Sequence, residues 1–280
     1  MHTFSSRLLI ALMAVLLLGT SAWAQRKPRI RGNRSPVDVS ESLPPFRRIM
    51  LADDLEVRLL QRDSEGYGLH IDDNLVDILQ FQVQDSTLVI SSFYEVTGSR
   101  AMEITIFFRE LSGIDIQAGR LVADTEFTSD VLRVQASGAA RLEVRARASL
   151  FELDLSENSG ADLNLAADSL SLRMTDRSDA VVYTDNGALS AGLSGNADLT
   201  LEGISGEAVL QLSGESGITA RKLVAERLEV LIDGAATARV HAGTSLVLDA
   251  AGQSRTYLYG TPELTIRRFA DRAELHKEPD

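Results

Sequence analysis

The sequence predicts an all-β solenoid: a parallel β-helix with coils of about 19 residues and an N-terminal β cap. Three observations predict it. A short apolar phrase recurs at Ile114, Leu132, Phe151, Leu170, Leu189, Leu210, Leu228, Leu246 and Leu264, at steps of 18, 19, 19, 19, 21, 18, 18 and 18. Within each phrase the apolar residues alternate, as at Phe151, Leu153 and Leu155. That is the period of a strand and not of a helix. Small or turn-forming pairs punctuate the repeats, among them Ala118-Gly119, Ser137-Gly138, Ser194-Gly195, Asp233-Gly234 and Ala251-Gly252. Two or three short strands per coil are expected, each apolar residue stacking on its equivalent about 4.8 Å away, so that eight steps give a rod of roughly 38 Å. The competing architecture is an antiparallel β-sandwich, whose turns recur at a similar density.

Taken in order, the chain opens as an export signal. Arg7 precedes the apolar run Leu8 to Leu18, and Ala22-Trp23-Ala24 sets up cleavage after Ala24. The run is short of the roughly 20 apolar residues of a membrane-spanning helix, and no later stretch is long enough. Residues 25–45 read as a basic, proline-containing linker, with Arg26, Lys27, Arg29, Arg31 and Arg34 among Pro28, Pro36, Pro44 and Pro45. The solenoid domain spans 46–266. Its opening strands at 46–110 cap the first coil, since a bare solenoid end exposes unpaired backbone. The regular coils occupy 111–266, and 267–280 is a charged tail. An inward leucine such as Leu153 or Leu172 is expected to tolerate no charge, because an aspartate there is buried without a partner.

Composition narrows the function. The formal charge is −12, or −13 once Arg7 leaves with the signal, which argues against nucleic acid as a partner. With no cysteine, the chain has no disulfide, thiolate metal site or lipidated cysteine. The histidines His70, His241 and His276 are isolated and lack zinc-ligand spacing, so no metal and no cofactor are expected. No nucleophile elbow, dinucleotide fingerprint or phosphate loop occurs. Carboxylates are the only catalytic candidates: Asp162, Asp179 and Asp198. The reading aligns Asp162 with Asp198 two coils on, across Val181, about 9.6 Å apart at the strand spacing. That is the edge of the ~6.5–9.5 Å range of an inverting glycosidase. Asp154 aligns similarly with Arg173, as a surface pair. Tyr94, Tyr183, Tyr257 and Tyr259 are the aromatic residues available for sugar stacking, with core filling or capping the preferred role of the last two.

The order of several phrases resembles a bacterial family. These are Ile49 to Leu59, Asp-Ser-Thr-Leu-Val-Ile at 85–90, the turns Ser137-Gly138-Ala139, Ser159-Gly160-Ala161 and Asp233-Gly234-Ala235, and Tyr257-Leu258-Tyr259-Gly260-Thr261-Pro262. Together they resemble, over about residues 46–262, the GIN-domain family of auto-transporter adhesin heads. The resemblance implies an exported, right-handed β-helix with no catalytic residues. The sequence reading is therefore a non-catalytic module of the periplasm or cell surface that binds a protein or polysaccharide. Two alternatives accompany it: a homo-oligomeric structural component joined through a coil end or an exposed apolar strip holding Leu231 and Val247, and a polysaccharide-acting enzyme using the three aspartates.

Overall fold

The computed structural model describes residues 27–279, so the leader and its cleavage site lie outside the described residues. The opening of the fold comprises β1 (Arg29–Ile30), β2 (Pro36–Ser42), β3 (Arg48–Leu51), β4 (Glu56–Gln61), β5 (Gly66–Asp72), a 3-10 helix (Asp73–Ile78), β6 (Leu79–Gln84), β7 (Thr87–Ser92), β8 (Glu95–Val96) and β9 (Met102–Phe108). The coils follow as β10 (Gly113–Ile116), β11 (Arg120–Ala136), β12 (Arg141–Leu155), β13 (Gly160–Met174), β14 (Asp179–Leu193), β15 (Asp198–Leu212), β16 (Gly217–Ile232) and β17 (Thr237–Ala250). The last turns are β18 (Arg255–Tyr259), β19 (Glu263–Phe269) and β20 (Glu274–Lys277).

Each regular coil is one long bent strand, where two or three short ones were expected. Along β13 the buried positions are 161, 163, 165 and 167, then 170, 172 and 174. Two exposed residues in succession, Asp168 and Ser169, shift the phase and turn the strand through a corner. All pairings from β10 to β20 are parallel, which excludes the sandwich. The register runs Leu132, Phe151, Leu170, Leu189, Ala208, Leu228, Leu246 and Leu264. Two starts of the sequence register, Ile114 and Leu210, are thereby corrected. Ile114 stacks on Val134 rather than Leu132. Leu189 stacks on Ala208 rather than Leu210, because an alanine holds the apolar start of that coil. A bulge between Thr200 and Glu202 accompanies the longer step that follows.

The core is a set of aliphatic columns inside the rod. Val134, Leu153, Leu172, Ala191, Leu210, Val230 and Leu248 are each buried in one of them. A coil alone leaves its apolar face in water, so stability comes from this stacking. Turns close each coil at a repeated left-handed position filled by Gly138, Glu157, Asp176, Gly195, Gly214, Gly234, Gly252 and Asp271. Backbone bonds run along these turns from coil to coil, for example Arg177 N–H to Glu157 O at 2.9 Å and Glu215 N–H to Gly195 O at 2.8 Å. Gly160, which looked like the same turn glycine, sits three residues later at the start of β13.

The opening is laid out of order. The rung β3–β4 is sandwiched: β7 and β9 pair with it on one side, β10 and β11 on the other. Antiparallel strands cover the outer edges, β6 on β7 and β5 on β9, with β2 on β5. The basic stretch therefore differs from the linker expected of it. Here β1 pairs with β8, and Lys27 and Arg29 form ion pairs with Asp53 and Glu95. Pro36 is tolerated because β2 is an edge strand. The expected tail is likewise part of the fold, since β19 and β20 continue the last coil.

Candidate functional site

The corner that bends each strand also shapes a broad depression on the surface. Its outward positions are Ser149, Asp168, Gly187 and Gly206, nineteen residues apart. The neighbouring column runs Thr128, Arg147, Ala166 and Asp185. Ala166 and Gly187 are small, so the surface sinks between the larger residues. At Gly187 an added Cβ would lie 3.1 Å from Asp168 O, so little bulk fits there. The opening of the fold supplies the far wall through Arg47, Gln61, Arg109 and Glu110. The result is a groove of about 970 Å³, the size of a small-ligand or short-oligomer site.

Its lining is polar and carries both signs. Arg47 pairs with Glu110 at 3.0 Å and Arg147 with Glu126 at 3.5 Å, all well exposed. Gln61 braces the wall: its Nε2 donates to Arg109 O at 2.9 Å and to Thr128 O at 3.2 Å, and its Oε1 accepts from Thr128 N–H. Ser129 Oγ donates to Leu111 O at 2.7 Å. Among the described residues no ion pair engages Asp130, Asp168 or Asp185. Behind the floor a buried polar ladder fixes the corner, with Ser205 Oγ donating to Asn186 Oδ1 at 2.7 Å and Asn186 Nδ2 to Thr184 Oγ1 at 3.1 Å. Tyr183 lies two residues before Asp185 on the same strand, outward and 55% exposed. It lines a neighbouring depression and not the groove itself.

The sequence candidates are placed differently. Asp162 stacks on Val181 and then on Thr200, so it does not align with Asp198. Asp179 and Asp198 are the neighbours, one coil apart in a column that runs Gly160, Asp179, Asp198, Gly217. Their carboxylates lean apart. An added Cβ on Gly160 would meet Asp179 Oδ2 at 3.0 Å, and one on Gly217 would meet Asp198 Oδ1 at 2.4 Å. Each acid thus folds over the glycine on its far side, which keeps like charges separated. Neither lines the groove; Asp162 lines a separate depression of about 320 Å³ with Tyr183 and Glu202. Asp154 does stack on Arg173, but among the described residues no ion pair joins them.

Tyr257 and Tyr259, expected as core or cap, face outward on β18. Arg239 stacks over Tyr257 and Arg221 over Tyr259, at 5.0 and 4.8 Å. His70 is held by Asp38 at 2.8 Å on the surface. The groove residues escaped the sequence reading, which looked for residue types. Their signal was the paired break in alternation at Ser149-Leu150, Asp168-Ser169 and Gly187-Ala188.

The chain is thus a β-solenoid with an open polar groove on its surface and two neighbouring acids that diverge. Residues 45–165 and 149–262 each match the family described as "Putative auto-transporter adhesin, head GIN domain", and the chain belongs to that family. The two matches overlap, as a repeating rod allows. Solved structures share the fold. A "putative adhesin" from Parabacteroides distasonis ATCC 8503 is 16% identical, with a TM-score of 0.69 over 89% of this chain and 100% of that one. A "putative lipid binding protein" from the same organism is 18% identical, with a TM-score of 0.66 over 89% and 99%. A "putative adhesin" from Parabacteroides merdae ATCC 43184 is 14% identical, with a TM-score of 0.64 over 90% and 99%. No curated protein matches the chain in sequence.

Proposed function

We propose that this protein is a non-catalytic module of the bacterial cell envelope, exported by cleavage after Ala24, whose corner groove binds a hydroxyl-rich polysaccharide chain. The observation that carries the reading is the groove itself: an extended trough along the rod, floored by Ala166 and Gly187 and walled by Arg147, Asp168 and Asp185. From Thr128 to Asp185 it spans four rungs, three spacings or about 14 Å in all. The carboxylates of Asp168 and Asp185 offer acceptors and the exposed guanidinium of Arg147 offers donors to sugar hydroxyls, and Tyr183, just outside the groove, offers a face for ring stacking. Membership of a family named for adhesins supports a binding role. The enzymatic alternative lacks support because Asp179 and Asp198 diverge over their glycines.

The test is a binding screen of residues 25–280 against envelope polysaccharides, with released reducing ends and unsaturated products assayed in the same wells. Saturable binding without product is expected. Arg147→Ala with Asp185→Asn should weaken it about tenfold, two lost polar contacts of about 0.5–1.5 kcal/mol each. Binding unaffected by these changes would overturn the groove as the site. Turnover lost in Asp179→Asn or Asp198→Asn would overturn the non-catalytic reading.

A further inference from the structure

The two ends of the rod are finished differently. At the opening, antiparallel strands and the 3-10 helix cover the core, leaving Ile71, Leu75, Leu88 and Ile90 fully buried. At the other end, among the described residues, β19 pairs with β17 alone. Leu264, Ile266 and Phe269 continue the inward columns of Leu246, Leu248 and Ala250, yet they are 41%, 47% and 47% exposed where those three are at 0%. The outer edge of β19 has no strand beside it among the described residues, since β20 continues over β18 instead. An apolar core face and an open strand edge coincide there, the combination that pairs with another strand.

We propose that a second copy of this chain covers that end, the two rods meeting tail to tail with their β19 strands paired antiparallel about Thr265. The opening has edge strands but no bare apolar core, whereas the far end has both, so like end meets like end across a two-fold axis, the self-complementary arrangement of most dimers. A two-fold normal to an antiparallel ladder must pass through a pair of identical residues, and Thr265 is the one that matches the side chains. Centred there, Leu264 opposes Ile266 of the second copy, and both face the core. Glu263 opposes Arg267 of the second copy on the outer face; Arg267 is the extra residue of a bulge in β19 against β17, and opposite charges meet there across the new ladder. Glu263 has no ion pair among the described residues. Arg267 reaches Glu229 on the outer face and remains 58% exposed there. The inference is independent of the groove.

Sedimentation of residues 25–280 tests it, with circular dichroism confirming the fold of each variant. The wild type should sediment as a dimer. Glu263→Arg sets two arginines against each other at both ends of the ladder, and Arg267→Glu sets two glutamates. Each alone should weaken dimerisation about tenfold, from two cross-strand pairs of up to ~1 kcal/mol each. Mixing the two variants restores both opposite-charge pairs and should restore the dimer, which a merely structural effect on either variant would not do. A monomeric wild type would overturn the proposal and leave the end to a strand from another protein. A dimer insensitive to both reversals, or two variants that fail to pair when mixed, would overturn it as well.

Discussion

At the scale of the residue, the turns show how one backbone demand is met by different chemistry. The left-handed position of each turn suits glycine, which carries no Cβ penalty. Asp176 occupies it with φ of 61° and uses its carboxylate instead. Its Oδ2 accepts from Glu157 N–H at 3.1 Å and from Thr175 Oγ at 2.9 Å. Asp271 repeats the device on Gly252 N–H at 3.1 Å. The backbone bond from Glu157, then the Thr175 hydroxyl, hold the Asp176 carboxyl below its ordinary value, with Arg177 nearby adding to the effect. A carboxyl depressed in the folded state stabilises it fully above its unfolded value, near pH 4, and that contribution is lost as pH falls through the folded value. Asp176→Asn should therefore melt slightly below the wild type near pH 7, with the two curves converging below about pH 4. Thermal unfolding across that range checks the sign. The turns were visible in the sequence wherever a glycine marked them. Glu157 and Asp176 were invisible there, since neither residue type announces a left-handed backbone.

At the scale of the element, the coil is a strand with a defect in its alternation. The apolar repeat was legible because buried columns demand it at every rung, and Phe151, Leu170 and Leu189 sit where the repeat placed them. The register failed where size gave out. Ala208 fills an inward position too small to stand out, and the stronger signal of Leu210 drew the repeat two residues on. Asp162's column runs through Val181 to Thr200, two residues past Asp198. Leu172 lies between Leu153 and Ala191, 2% exposed. Leu172→Asp places an unpaired charge in the column and should cost about 4 kcal/mol or more, read by denaturant unfolding. The loss should centre on β12 to β14, since each coil depends on its neighbours.

At the scale of the whole molecule, ion pairs such as Lys222 with Glu202 at 2.9 Å and Arg268 with Asp249 at 2.7 Å join successive coils on the outside. They are exposed and contribute little each, so the apolar columns set the stability. Cover then decides the local order. Amide exchange of the Glu263→Arg variant should be fastest in β19 and β20 and slowest in the middle coils, where both neighbours are present. Equal protection along the rod would show that the last coil is as firmly held as the rest. The opening was the least legible part. Prolines and cations suggest a tether, and only the pairing of β2 with β5 shows that this stretch belongs to the cap.

The sandwiched rung β3–β4 also sets a timetable for synthesis. A ribosome delivers the chain from its N-terminus, yet that rung stays open on both sides until later segments arrive. Residues 87–108 must emerge to close one side and residues 113–122 to close the other. Until then no turn of the rod has a complete neighbour. Once that seed exists, every nineteen or so residues that emerge have a finished template to settle on, and growth proceeds in one direction only, because the starting end has already been sealed.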